Sequence, residues 1–147
     1  MKIETPRLDA RGLRVALVAS RFNHLISIRL VEGARAALLD RGMEERDVDL
    51  FWVPGAFEIP GAISMAAQTG EWDGFVALGC VIRGETSHYD LITNHVARGL
   101  MELSISGVPL GFGVLTVENE AQAKVRADRT QKNKGAEVVA AVLRMVG

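Results

Sequence analysis

A single cysteine, Cys80, leaves the chain no partner for an intrachain disulfide, which suits a reducing compartment. No charge-free apolar run reaches the ~18 residues needed to span a bilayer. The opening Met1-Lys2-Ile3-Glu4 lacks the apolar core of a secretory signal. A cytoplasmic location with no membrane partner is therefore expected. Charge of one sign is missing too: the formal net charge is -1, so nothing draws the whole chain to nucleic acid. Internal repeats, low-complexity tracts and linkers are absent, and residues 1–147 read as one domain. There is no Walker A loop, no G-x-G-x-x-G and no defensible Ser-His-Asp set. Apolar residues, by contrast, are plentiful at 48%, with a mean hydropathy of +0.16. The surplus implies surface that a partner covers.

Four short apolar runs bounded by turn residues predict buried strands, over Leu13 to Ala19, Val48 to Val53, Gly74 to Val81 and Pro109 to Thr116. Helical spacing fills the gaps. Ile28, Val31, Ala34 and Leu38 line one face of a first helix, with Gly42 as its stop. Ile59 to Gln68 gives a second, with Pro60 tolerable in its first turn. Ser87 to Ser104 gives a third, carrying Ile92, Val96, Leu100 and Leu103. Glu118 to Ala127 and Asn133 to Val146 supply two more. Alternating strands and helices imply βαβ crossovers, hence a mainly parallel four-stranded sheet in a three-layer α/β/α sandwich. Ligands of such sheets sit beyond the carboxyl ends of the strands. Four loops meet that edge: Ser20 to Asn23, Pro54 to Glu58, Ile82 to His88 and Val117 to Glu120.

The third loop, Ile82-Arg83-Gly84-Glu85-Thr86-Ser87-His88, leads from strand to helix, so free first-turn N–H groups point at the site. Gly84 admits close backbone approach, Thr86 and Ser87 bring hydroxyls, and Arg83 brings a charge. Together they would make a phosphate cradle. Ordinary capping explains the same residues, because Ser87 and Asp90 have capping-box spacing, and Glu85 opposes an anion. His88 falls in the first helical turn at the rim of this loop. With a pKa near 6.5 a histidine can give and take protons at neutral pH. A metal site fits worse, since His88 and His95 lie about 10 Å apart along a helix.

The other loops are weaker alone. Pro54-Gly55-Ala56-Phe57-Glu58 offers small residues beside backbone amides, and Glu58 could accept from ligand hydroxyls or merely complement the helix dipole. Asn23 is a plausible N-cap, and Phe22 then takes a staple position whose partner, Ser27, has no apolar surface. Phe22 is thus a candidate to stack on a flat heterocycle. Lys124, Arg126, Arg129, Lys132 and Lys134 form a basic stretch, which reads as a solvated face unless one residue reaches a phosphate.

Taken together these segments resemble the lumazine synthase family of riboflavin biosynthesis over about Arg11 to Met145. The resemblance rests on Arg21-Phe22-Asn23, on Trp52 to Pro60 (WVPGAFEIP) and on Gly79 to Asp90 (GCVIRGETSHYD). It continues through Phe112 to Thr116, Glu118-Asn119, Arg126 and Asn133-Lys134-Gly135. It implies a flavodoxin-like fold and a transferase with no cofactor and no metal. The implied substrates are 5-amino-6-ribitylaminouracil and 3,4-dihydroxy-2-butanone 4-phosphate. They condense to 6,7-dimethyl-8-ribityllumazine with release of phosphate and water. By the same resemblance Phe22 stacks on the uracil with Asn23 beside it, and Ala56, Phe57 and Glu58 hold the ribityl chain. Cys80, Val81 and Ile82 border the ring. Gly84, Glu85, Thr86 and Arg126 hold the phosphate, and His88 moves protons. Phe112, Arg126, Lys134 and Glu137 come from a neighbouring subunit of a homopentamer. Riboflavin synthase is a further partner that the family suggests. Glycines common in the family near positions 128 and 132 are replaced here by Asp128 and Lys132, which leaves pentamer, decamer and icosahedral shell all open. A flavin-binding or structural paralogue without turnover is the rival reading.

Overall fold

The structure, a computed structural model, describes residues 9–84 and 88–146. The strands fall close to the runs expected of them: β1 is Val15–Ser20, β2 Val48–Val53, β3 Gly74–Ile82 and β4 Leu110–Val117. All three pairings are parallel, in the order β2-β1-β3-β4. β1 and β3 are buried along their whole length, which is why they read as unbroken apolar runs and not as alternating ones. β4, at one edge, is less completely covered: Phe112 and Thr116 are exposed, whereas Gly113 to Leu115 between them are buried.

Five α-helices cover the sheet: α1 (His24–Asp40), α2 (Ile59–Ala67), α3 (Tyr89–Ile105), α4 (Glu120–Ala127) and α5 (Lys134–Val146). One core joins α1, α4 and α5 to Val15, Leu17, Val76, Leu78 and Leu115. The other joins α2 and α3 to Ala16, Val18, Phe75, Ala77 and Val114. The result is the three-layer arrangement expected from the alternating pattern, and it is flavodoxin-like, as the resemblance implied. α1 buries a somewhat different face from the one expected, because Leu30 is fully buried while Ile28 is only half-buried. Its stop is at Gly42, where φ is 98° and the Met43 N–H reaches back to the Leu38 carbonyl at 3.1 Å. At Gly135 a Cβ would run into the backbone of Leu30 and Ala34, so α5 lies directly on α1. Among the described residues no helix is long and apolar enough to cross a membrane.

The order β2-β1-β3-β4 places the topological switch between β1 and β3. From β1 the chain moves outward to β2, then returns across to β3. The helices that leave these two inner strands diverge there and open a crevice at the carboxyl edge.

Candidate active site

The corner after β1 is held by its backbone. Arg21 N–H donates to the Val53 carbonyl at 2.8 Å and Phe22 N–H to the Pro54 carbonyl at 3.1 Å, so the β1–β2 ladder continues past the strand ends. Ser20 Oγ donates to the Phe22 carbonyl at 3.3 Å and lies 3.3 Å from Ser27 Oγ beneath it. Asn23 does occupy the N-cap position of α1, but in the left-handed region (φ 60°), and its side chain makes no capping bond. Instead its Nδ2 donates across the sheet to the Cys80 carbonyl at 2.8 Å. With its main chain so fixed, the Phe22 ring remains 56% exposed. Ser27, the poor staple partner, is buried for its hydroxyl contact.

After β2 the chain makes a single 3-10 turn, Ala56–Glu58, before α2 starts with Pro60 in its first turn. Ala56 is buried, while Phe57 and Glu58 are exposed. These two corners and the end of β3 enclose a cavity of about 350 Å³ at the switch point. Phe22, Ala56, Phe57, Glu58 and Val81 line it, joined by Pro54, Gly55, Cys80 and Ile92. Strand alternation separates the β3 residues. Val81 belongs to the core under α2 and α3, whereas the side chains of Cys80 and Ile82 pack into the opposite core. Cys80 therefore presents main chain to the cavity, and any border that Ile82 forms must also be main chain.

Gly84 is exposed with φ 89°, and a Cβ built there meets nothing within 4 Å. Glu85, Thr86 and Ser87 lie outside the described residues. His88 is exposed, and it is the N-cap of α3 and not a residue of its first turn. The cap of the expected capping box would be Ser87, one residue earlier than the observed cap. The His88 carbonyl accepts from Ile92 N–H at 2.9 Å, and Ile92 lines the cavity. His88 thus starts the helical face that borders the cavity one turn further on.

A second cavity, of about 390 Å³, lies on edge strand β4. Phe112 to Val117 form its floor, and Arg126, Lys132, Lys134 and Glu137 its walls. Lys134 Nζ pairs with Glu137 Oε1 at 3.0 Å, and Arg126 Nη1 donates to the Gln122 carbonyl at 3.1 Å. Three cations face one carboxylate, so an anion is favoured there. The basic stretch expected from sequence is thereby divided. Lys124 pairs with Glu120 along α4 at 3.4 Å and Arg129 is exposed, while the other three converge on the cavity. Lys132 and Ile92 were not among the expected site residues; Ile92 has the spacing of an ordinary core stripe.

Arg83, expected to bring a charge to the phosphate cradle, has carboxylates as neighbours. Its Nε donates to Glu118 Oε1 at 3.1 Å, and its Nη1 stands 3.7 Å from Asp90 Oδ1. The hydrogen bond and charge of Glu118 raise its pKa above the ordinary arginine value. At the C-terminal end of α4 Asp128 accepts from Thr130 Oγ1 at 2.7 Å and Thr130 N–H at 2.8 Å, which lowers its pKa below the usual carboxylate value.

These features define a class: a flavodoxin-like α/β protein with ligand-sized cavities at its carboxyl edge. Residues 12–147 match the family model described as 6,7-dimethyl-8-ribityllumazine synthase, and the chain belongs to that family. Among its relatives, the 6,7-dimethyl-8-ribityllumazine synthase of Novosphingobium aromaticivorans is 51% identical over 130 residues, covering 88% of this chain and 91% of that one. The protein of the same name from Nitratidesulfovibrio vulgaris is 47% identical over 141 residues, with 95% and 90% covered. That from Leuconostoc mesenteroides is 44% identical over 140 residues, again with 95% and 90% covered.

Proposed function

We propose that the chain is a 6,7-dimethyl-8-ribityllumazine synthase, condensing 5-amino-6-ribitylaminouracil with 3,4-dihydroxy-2-butanone 4-phosphate and releasing phosphate and water. The observation that carries this reading is the cavity at the switch point. It gathers Phe22, Ala56, Phe57, Glu58 and Val81 from three separate corners, inside a chain matched to the family over residues 12–147. A flat pyrimidine stacks on the exposed ring of Phe22, and the Glu58 carboxylate accepts from the hydroxyls of the ribityl chain.

The reactants carry their own reactive groups. An amine of the pyrimidine attacks the ketone carbon, and loss of water leaves an imine. Phosphate is then eliminated, and the second amine closes the ring with loss of another water. The protein has to align the two molecules and move protons, and neither task needs a covalent enzyme intermediate or a cofactor. His88, at the head of α3, is the proton-transfer group. The phosphate lies toward Gly84, Thr86 and a cationic cluster.

That cluster lines a cavity on edge strand β4 that shares no residue with the first cavity, which is lined from the corners after β1 and β2 and the end of β3. Phe112, Arg126, Lys134 and Glu137 instead complete the cavity of a neighbouring copy, so the working unit is an oligomer, a cytoplasmic homopentamer. Large exposed apolar side chains on α3 (Leu91, Met101 and Ile105) and at Phe112 supply surface for such contacts.

The test is formation of lumazine and phosphate from the two substrates by wild type, His88→Ala and a protein-free control. Wild type should exceed the control and yield the two products together. Loss of His88 should slow turnover by about 10²-fold while leaving the fold intact. A wild-type rate equal to the control would reject the synthase and favour a flavin-binding or structural paralogue.

A further inference from the structure

Arg83 stands where the end of β3 meets the β4–α4 corner and the head of α3. Its own N–H donates to the Val117 carbonyl at 2.8 Å, adding a rung beyond the last β3–β4 pair, Ile82 with Val117. Its Nε lies 3.1 Å from each carboxylate oxygen of Glu118, at the start of the β4–α4 corner. Its guanidinium carbon sits 4.4 Å from the centroid of the Tyr89 ring, and Nη1 faces Asp90. Tyr89 and Asp90 are the first two residues of α3, directly after His88. Glu118 is itself anchored, because its N–H donates to Gln122 Oε1 at 2.8 Å while Asn119 Oδ1 accepts from Gln122 N–H at 2.9 Å.

Such contacts are poor stabilisers. Arg83, Glu118 and Asp90 are all largely exposed, and exposed ion pairs contribute little to folding. Their value is geometric. The guanidinium is planar, so it can present Nε to one carboxylate while its face lies on an aromatic ring. An ammonium is a flexible point charge and lacks this rigid two-sided geometry. The contacts fix where α3 begins relative to the ends of β3 and β4, and a proton-transfer group gains from being held within a fraction of an ångström.

We propose that Arg83 is a positioning residue for the reaction, bracing the head of α3 against Glu118 so that His88 is held at the mouth of the cavity. This rests on the reading of His88 as the proton-transfer group. It assigns Arg83 no contact with substrate, and its charge is already matched by Glu118 and Asp90.

The test compares wild type with Arg83→Ala, Arg83→Lys, Glu118→Gln and the Arg83→Ala/Glu118→Gln double variant. Saturation kinetics are measured for both substrates, and thermal unfolding is followed alongside. Arg83→Ala should lower kcat by about 10- to 10²-fold with KM for the pyrimidine unchanged and the unfolding midpoint nearly so. Arg83→Lys should recover little of the loss. Glu118→Gln should show a smaller loss of the same kind, and the double variant should be no worse than Arg83→Ala, because both changes break one brace. Full activity in Arg83→Lys, or losses that multiply in the double variant, would overturn the brace and make Arg83 a direct ligand of the phosphate. Full activity in Arg83→Ala would overturn any role. His88→Ala assayed in parallel separates the two ideas: a fall there with no fall in Arg83→Ala rejects the brace alone, and no fall in His88→Ala rejects the catalytic reading.

Discussion

Asn23 Nδ2 donates to the Cys80 carbonyl across 2.8 Å, tying residues that lie fifty-seven positions apart in sequence. The bond crosses the switch point, and Phe22 is the residue immediately before it. Whatever stacks on Phe22 therefore rests on a loop fastened to β3 as well as to β2. Asn23 also sits at φ 60°, which asparagine tolerates better than most residues.

Two substitutions separate these properties. Asn23→Gly keeps the backbone conformation and removes the hydrogen bond, at a cost of about 0.5–1.5 kcal/mol. Asn23→Ala removes the bond and adds about 1–2 kcal/mol of left-handed strain. Denaturant unfolding should rank wild type above Asn23→Gly above Asn23→Ala. Both variants should raise KM for the pyrimidine more than KM for the phosphorylated ketone, since it is the Phe22 corner that loosens. Equal effects on the two KM values would show that the bond does not serve that corner.

Arg126 and Lys132 are the cations of the β4 cavity for which no carboxylate partner is recorded among the described residues, whereas Lys134 is paired to Glu137. Arg126→Ala should weaken binding of the phosphorylated substrate by at least about tenfold, a loss of about 1.4 kcal/mol, and Lys132→Ala by less because a flexible ammonium holds phosphate as a point charge. Inorganic phosphate as a competitive inhibitor gives an independent reading: its inhibition constant should rise in both variants. Unchanged inhibition in Arg126→Ala would remove the cavity from phosphate binding.

Much of this was legible in the chain itself, and the parts that were not share a physical cause. β1 and β3 announce themselves because burial on both faces leaves no room for polar residues. The loops at the carboxyl edge follow from the strand–helix alternation alone. The buried face of α1 was harder to read, because Ser27, Gly33 and Ala34 lie on it and small residues carry almost no hydrophobic signal. Ile92 escaped because lining a cavity and filling a core impose the same 3.6-residue spacing. The carboxylate contacts of Arg83 were out of reach for a different reason. Its partner Glu118 lies thirty-five residues away, and nothing local shows that a β3–β4 pairing will bring a carboxylate to it. Asn23 likewise has the composition of a cap, and only the tertiary fold offers its amide a better acceptor.

The departure at position 128 has a visible local consequence. Asp128 ends α4, its carboxylate accepts from Thr130 N–H and Thr130 Oγ1, and its carbonyl accepts from Gln131 N–H at 3.1 Å and Asn133 N–H at 3.0 Å. A glycine in that place would make the two backbone bonds but neither of the side-chain ones. The ionised carboxylate is the better acceptor, and the Thr130 hydrogen bonds lower its pKa below the ordinary value. A carboxyl group whose pKa is lower folded than unfolded stabilises the protein above its unfolded pKa of about 4, and the contribution disappears as pH falls through the folded value. Asp128→Ala should therefore unfold at a lower temperature than wild type near neutral pH, with the difference shrinking below about pH 4. Paired thermal melts from pH 7 down to pH 3 measure this directly. A difference that stays constant across the range would mean that the ionised side chain does not hold the turn, and that any stiffening of the 128–133 connection comes from its backbone alone.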